Sequence, residues 1–185
     1  MTSRALIPWL LAGALAAAPA SALAANLEVD HAASTVAFSA KATMHSFDGQ
    51  IKAWDLELSL PDGAELPDRV VFRGDGLTMT TDHTKRDAEM HHWMEHDAFP
   101  AVEFRLTRFS GTPEARIAEG DLALHGVTRP VAIPIRLQRE GDKLTVTGEV
   151  TVNTAEFGLP QFRKLGMLTV SQDVRVSFTV VGALK

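Results

Sequence analysis

Apolar and polar residues alternate along most of this chain. Val36, Phe38, Ala40, Ala42 and Met44 fall on one side of an extended segment, and Thr35, Ser39, Lys41 and Thr43 on the other. A period of two is the mark of a half-buried β-strand. The pattern returns at Trp54, Leu56, Leu58 and Leu60, at Val102, Phe104 and Leu106, at Val131, Ile133, Ile135 and Leu137, at Leu144, Val146, Gly148, Val150 and Val152, and at Val174, Val176, Phe178 and Val180. Turn chemistry separates these runs. His45-Ser46-Phe47-Asp48-Gly49 reads as a turn, because Asp-Gly is a favoured turn pair. Glu140-Gly141-Asp142 reads as a hairpin turn, and Gly74 and Gly76 as a bulge or sharp bend. Pro134 marks an edge or bulged position, since it donates nothing to a ladder. The count is about eight strands with antiparallel-style connections, no βαβ alternation, no repeat and no linker. That is an all-β barrel or sandwich in one domain.

One stretch breaks the alternation. From Thr84 to Phe104 the chain reads TKRDAEMHHWMEHDAFPAVEF. Met90, Trp93 and Met94 stand at i, i+3 and i+4, on one face of a helix. Asp87 and Glu89 lie near its start, where the helix dipole favours negative charge. Phe99-Pro100 ends it, because the residue before proline avoids helical geometry. A short helix with a soft apolar underside, set among strands, is expected to plug or cover a barrel.

Composition narrows the class. The 185 residues are 45% hydrophobic and 22% charged, which suits one globular domain. The start differs in kind: Arg4, an apolar run from Ala5 to Ala18, then Ala22-Leu23-Ala24. This is the pattern of a cleaved secretory signal peptide over 1–24, leaving a domain over 25–185. No later stretch is long and apolar enough to span a membrane as a helix. Without Arg4, 17 basic residues face 23 acidic ones, a formal charge of −6. An acidic chain without a basic block argues against nucleic acid as a partner. The absence of cysteine excludes a thiol nucleophile, an iron–sulfur cluster and any thiolate metal site. A leader without disulfides points to a bacterial periplasm.

Candidate chemistry is sparse. Four of the seven histidines, His83, His91, His92 and His96, cluster around the helix. His92 and His96 have the i, i+4 spacing that can hold a metal between two imidazoles. Helical geometry places both away from the apolar stripe, on the solvent side or a flank, and a two-ligand surface pair lacks a third donor. No metal site is therefore assigned, and a His-rich metal-binding or stress-buffering protein is kept as the alternative function. Ser46 beside His45 and Asp48 is a run of neighbours rather than a triad, and neither Gly-x-Ser-x-Gly nor a phosphate loop occurs. The expectation is a protein without catalytic residues. Asp30-His31 and Arg86-Asp87 are read as structural, with Arg86 reaching a loop carbonyl or an acid and Asp87 capping or orienting the helix start. Small residues at Ala40, Ala42 and Gly148 among large ones suit an open tunnel. They also suit a packed, tapering core, so the pattern leaves both standing.

Several segments resemble the YceI-like family of secreted lipid-binding barrels. They are Val29-Asp30-His31-x-x-Ser34-x-Val36-x-Phe38, Phe47-x-Gly49, Arg86-Asp87-x-x-Met90, Phe99-Pro100-x-Val102-x-Phe104, Gly120-x-Leu122-x-Leu124-His125-Gly126-Val127-Thr128-x-Pro130-Val131 and Val174-x-Val176-x-Phe178. Together they cover nearly the whole chain after the leader. His91-His92-Trp93 and Phe157-Gly158-Leu159-Pro160 depart from the commoner pattern. The resemblance implies a lipocalin-like antiparallel barrel with a long apolar tunnel. It implies a bound polyisoprenoid or quinone-type lipid, no required cofactor and no catalysis. It favours the tunnel over the packed core. The residues expected to touch the ligand are Phe38, Ala40, Ala42, Trp54, Met90, Trp93, Met94, Phe104, Phe157, Phe162 and Phe178. The expected partner is that hydrophobic molecule, and a homodimer is left open.

Overall fold

The protein, seen in a computed structural model, is described over residues 24–43, 45–164 and 167–185. The expected leader, Ala24 apart, and Met44 lie outside the described residues. The strands are β1 (Ala24–Val29), β2 (Thr35–Ala42), β3 (Ser46–Ile51), β4 (Trp54–Pro61), β5 (Arg69–Asp75), β6 (Met79–Thr80), β7 (Ala101–Thr112), β8 (Ala115–Leu124), β9 (Val127–Glu140), β10 (Lys143–Asn153), β11 (Arg163–Lys164) and β12 (Leu168–Leu184). The helix α1 spans Thr84–Trp93.

Antiparallel pairs run β1-β4-β5-β7-β8-β9-β10-β12, and β12 returns to pair with β1. Eight strands thus close into a barrel. Closure leaves no open edge along this ring, and alternation then puts one residue set inside and the other in solvent. β12 is the longest strand, and its free edge takes two partners in turn. β1 pairs with its end, Leu27 opposite Leu184, and β2 with the rest, Thr35 opposite Thr179 through Ala42 opposite Val170. β1 and β2 therefore act as one strand broken at Asp30–Ser34. The Asp30 carboxylate accepts from Ala32 N and Ala33 N, and Ser34 Oγ bridges the Asp30 carbonyl (2.6 Å) and Val181 N (2.9 Å) across the break. β3 continues the line of β4, and β6 pairs with β3, so one side of the barrel extends towards α1. At the opposite end, Leu27, Leu58, Leu60, Leu144, Val180 and Leu184 pack into a core cluster.

Three expectations change on contact with the structure. His45–Gly49 is not a turn: the chain reverses earlier, and Ser46–Ile51 is a strand with Gly49 opposite Phe38. A glycine is needed there because the Phe38 ring lies across its Cα. Gly148 is not bare wall facing a tunnel: a Cβ there would stand 2.8 Å from Phe178 Cε1, so the phenyl ring lies over the glycine. Pro134 holds the edge position expected of it: it is paired with Ile117 on one side, and the β9–β10 ladder begins one residue later at Ile135. The helix ends at Trp93, six residues before Phe99, because Glu95 takes a left-handed backbone (φ 51°) and turns the chain. His96 is therefore off the helix. It is buried at 2% exposure rather than on the solvent side.

Candidate functional site

A cavity of about 530 Å³ runs inside the barrel. The inward residues of β2, β4, β5, β7, β8, β9, β10 and β12 line it, and α1 covers one end. Along β12 the lining extends from Leu168 to Val180. At ~3.3 Å per residue that is about 40 Å of strand, so the space is elongated rather than round. Seven of the nine phenylalanines line it, including Phe47, Phe72 and Phe109, which were not among the residues expected at the ligand. Phe72 shares the period-two pattern of its strand and was legible in principle. Phe47 was hidden by the turn reading of its segment.

Of the eleven residues expected at the ligand, nine meet in this lining: Phe38, Ala40, Ala42, Met90, Trp93, Met94, Phe104, Phe162 and Phe178. Two do not. Trp54 packs at the barrel wall, its ring 4.7 Å from that of His31 and 6.0 Å from that of Phe72. Phe157 is 1% exposed within the 3₁₀ turn Thr154–Phe157, and its carbonyl accepts from His125 Nδ1 at 3.1 Å. It anchors the loop beneath the helix end.

The phenyl rings lie along the wall instead of crossing the lumen. Phe38 rests on Gly49, Phe178 on Gly148 and Phe104 on Gly120. Directly opposed residues of an antiparallel pair point to the same face, so a glycine opposite or diagonal to a phenylalanine gives its ring a seat. The lumen stays open because these rings are flat against it.

Polar lining residues fall at the α1 end: His45, His83, Lys85, Arg86, Glu89, Thr154, Lys164 and Ser171. Helix α1 is fixed there from both sides. His83 caps its start, its Nδ1 accepting from Arg86 N (3.4 Å). Asp87 accepts from Thr80 Oγ1 (2.7 Å) and from Thr81 N (2.8 Å) and Oγ1 (2.5 Å). Burial raises its pKa, but those Thr81 and Thr80 bonds outweigh that and hold it below the usual value. Arg86 donates to Thr81 Oγ1 (2.7 Å) and the Thr81 carbonyl (3.1 Å), and its guanidinium lies 4.8 Å above the Phe47 ring. At the far end of the helix, Trp93 Nε1 donates to the Pro160 carbonyl (2.8 Å) and meets Phe162 edge-on, and Lys164 pairs with Glu89. These contacts latch α1 to the segment before β12.

The histidines are spread over different tasks. His91 Nε2 donates to the Met79 carbonyl (2.7 Å), His92 is exposed, and His125 bonds Glu95 Oε2 (2.8 Å) and the Phe157 carbonyl. His96 has no hydrogen-bond partner at either ring nitrogen among the described residues. Burial, with His91 close by, pushes its pKa down to about 4. No three His, Asp or Glu side chains converge on one point among the described residues.

A second space of about 350 Å³ opens at the opposite end of the barrel, bordered by Leu60, Leu66, Arg116, Arg139 and Leu144. Pro67 and Leu137 border both spaces.

A family profile described as the YceI-like domain matches residues 27–182, nearly the whole of the barrel just described. The chain belongs to the YceI-like family. Among relatives, it is 29% identical over 139 residues to the UPF0312 protein plu2095 of Photorhabdus laumondii, covering 71% of each chain. Its fold is that of other YceI-like barrels. The crystal structure of Burkholderia cenocepacia BcnA superposes with a TM-score of 0.75 at 17% identity, over 84% of this chain and 100% of that one. A polyisoprenoid binding domain from Saccharophagus degradans, implicated in plant cell wall breakdown, gives 0.69 at 15%, over 87% and 98%.

Proposed function

We propose that this YceI-like protein is a non-catalytic carrier that holds an isoprenoid-type chain, a polyprenyl or quinone tail, inside its barrel. On this reading the N-terminal leader exports it to the periplasm, where it shields the chain from water. The observation that carries the proposal is the elongated cavity of about 530 Å³, apolar along its length and polar only at the α1 end. Ligand pockets for small molecules span about 300–1,000 Å³. An apolar cavity of this kind has nothing to offer water and much to offer a hydrocarbon. Each buried CH₂ contributes ~0.8 kcal/mol, so a few isoprene units bind firmly without any polar contact. The Saccharophagus domain, whose description names polyisoprenoid binding, supports the ligand class.

Native mass spectrometry of freshly purified protein, followed by organic extraction, tests this. The expected result is a bound lipid or, in delipidated protein, stoichiometric uptake of a polyprenol or quinone. Protein that arrives empty and takes up neither compound refutes the proposal.

A further inference from the structure

We propose that the smaller space, at the hairpin end of the barrel, is a second ligand site, which takes a small amphiphile bearing one carboxylate. It is separate from the long cavity and does not rest on the carrier reading.

The inner faces of the strands are apolar almost throughout, and two arginines break that rule. Arg116 in β8 stands opposite Ile135, and Arg139 in β9 stands opposite Leu144. Directly opposed residues of an antiparallel pair share a face. Ile135 and Leu144 are buried inside the barrel, so both arginines leave the backbone on its inner side. Both border the space of about 350 Å³, together with Leu60, Leu66, Leu137 and Leu144. That volume is at the lower end of the range for small-molecule pockets. Arg116 is half-buried and Arg139 exposed, so the space opens to solvent at its rim.

The state of these two cations is what points to a ligand. On the outer faces, Arg69, Arg73, Arg105, Arg108 and Arg175 each pair with a glutamate. Among the described residues, neither Arg116 nor Arg139 makes an ion pair. Arg139 Nε donates to the Gly141 carbonyl (3.0 Å), a neutral oxygen that takes one of the five guanidinium donors. Glu65, the one acid bordering the space, is exposed and pairs with neither arginine. Glu114 adjoins Arg116, but its own backbone N–H and the Thr112 hydroxyl hold its carboxylate first, and Arg116 is a lesser cause of its lowered pKa. Two guanidinium groups around one small space repel each other, and an anion between them removes that cost. A carboxylate matches the planar fork of guanidinium with its two oxygens. The leucines beside it suit a short alkyl or aryl body.

Titration calorimetry with octanoate, octanol and acetate tests this, on protein with and without a prenyl compound in the long cavity. Octanoate should bind at least tenfold tighter than octanol at low salt, and the gap should narrow as salt rises. Acetate should give no binding heat, and prenyl loading should change none of these results. Arg116→Gln and Arg139→Gln should each cut the octanoate advantage several-fold. The double variant should abolish it while leaving octanol affinity unchanged, with circular dichroism as the folding control. Arg136→Gln, on the outer face of β9, should match the parent. If Arg116→Gln does not fold, Arg139→Gln, at an exposed position, decides the matter. Equal binding of octanoate and octanol overturns the proposal, as does a full octanoate advantage in the double variant. Loss of octanoate binding on prenyl loading overturns it too, because octanoate would then occupy the long cavity. Acetate binding as tightly as octanoate would make this a site for a free anion and also overturn it. If no prenyl compound binds, the carrier reading fails alone, and titration of the unloaded protein still decides this proposal.

Discussion

Replacing Gly49 by alanine tests whether the lumen is open because phenyl rings lie flat on glycines. Phe38 and Gly49 are directly opposed in the β2–β3 pair. A Cβ on residue 49 would stand 2.7 Å from both Cε atoms of Phe38 and nearer still to Cζ. No real Cβ contact is that short, so the ring has to move. Its back is against the strand that would carry the new methyl group, and the free direction is into the cavity. A benzene-sized object occupies a cavity of roughly 150 Å³. Against the 530 Å³ present, that removes room for about one isoprene unit. Five carbons at ~0.8 kcal/mol each set an upper bound of ~4 kcal/mol of lost binding. Some of this is regained as the ligand shifts, so about 2 kcal/mol, or roughly thirtyfold, is the expected effect. Stability should change less, by about 1 kcal/mol, because a vacant lumen accepts the ring without crushing its neighbours. Titration of delipidated protein with a fluorescent prenyl compound, alongside urea denaturation, reads both quantities. Phe38→Leu added to Gly49→Ala should restore most of the affinity, since the smaller side chain clears the methyl group. Unchanged affinity in Gly49→Ala with a large drop in stability would mean that the ring moved within the wall, and the account of the open lumen would fail.

Other consequences follow from single contacts. Trp93→Phe keeps a ring at the mouth but loses the bond to the Pro160 carbonyl. A lost hydrogen bond of about 1 kcal/mol predicts roughly fivefold faster transfer of a fluorescent isoprenoid to vesicles in stopped flow, and Trp93→Ala should be faster again. His92→Ala, at an exposed position, should match the parent, and equal acceleration in that variant would exclude α1 as the gate. His96 titrates near 6.5 when unfolded and at about 4 when folded. The unfolded chain therefore binds the extra proton first, and stability present above pH 6.5 is lost as pH falls towards 4. The loss between pH 7 and pH 5 should be about 2 kcal/mol in urea denaturation, and His96→Leu should remove that part of the slope. Leu137→Ala thins the partition between the two spaces, and native mass spectrometry with polyprenols of graded length should show a longer maximum chain retained. Its cost in stability should be about 2–4 kcal/mol, and an unchanged length limit would show that Pro67 alone closes the tunnel.

Much of the barrel could be read from the chain because its strands obey a local rule. Alternation at Val36–Ala42, Trp54–Leu60 and Val174–Val180 names both the strand and its inner face, since side chains on a pleated strand must point to opposite sides. The α1 face could be read for the same reason: Met90, Trp93 and Met94 keep helical spacing and all meet the cavity. Where a reading failed, a distant residue had decided the outcome. Gly49 looked like turn chemistry until Phe38 lay across it. His96 looked solvent-facing until a left-handed Glu95 ended the helix and folded it inward, and His125, thirty residues on, bonded that Glu95. Trp54 and Phe157 are as hydrophobic as the lining residues, and only packing sent them elsewhere. Above all, local pattern could not choose between a filled core and a tunnel. Hydrophobicity specifies that a side chain is turned inward, but whether inward-facing rings meet across the middle depends on how eight strands close. It depends also on which glycines, far apart in the chain, come to lie beneath those rings.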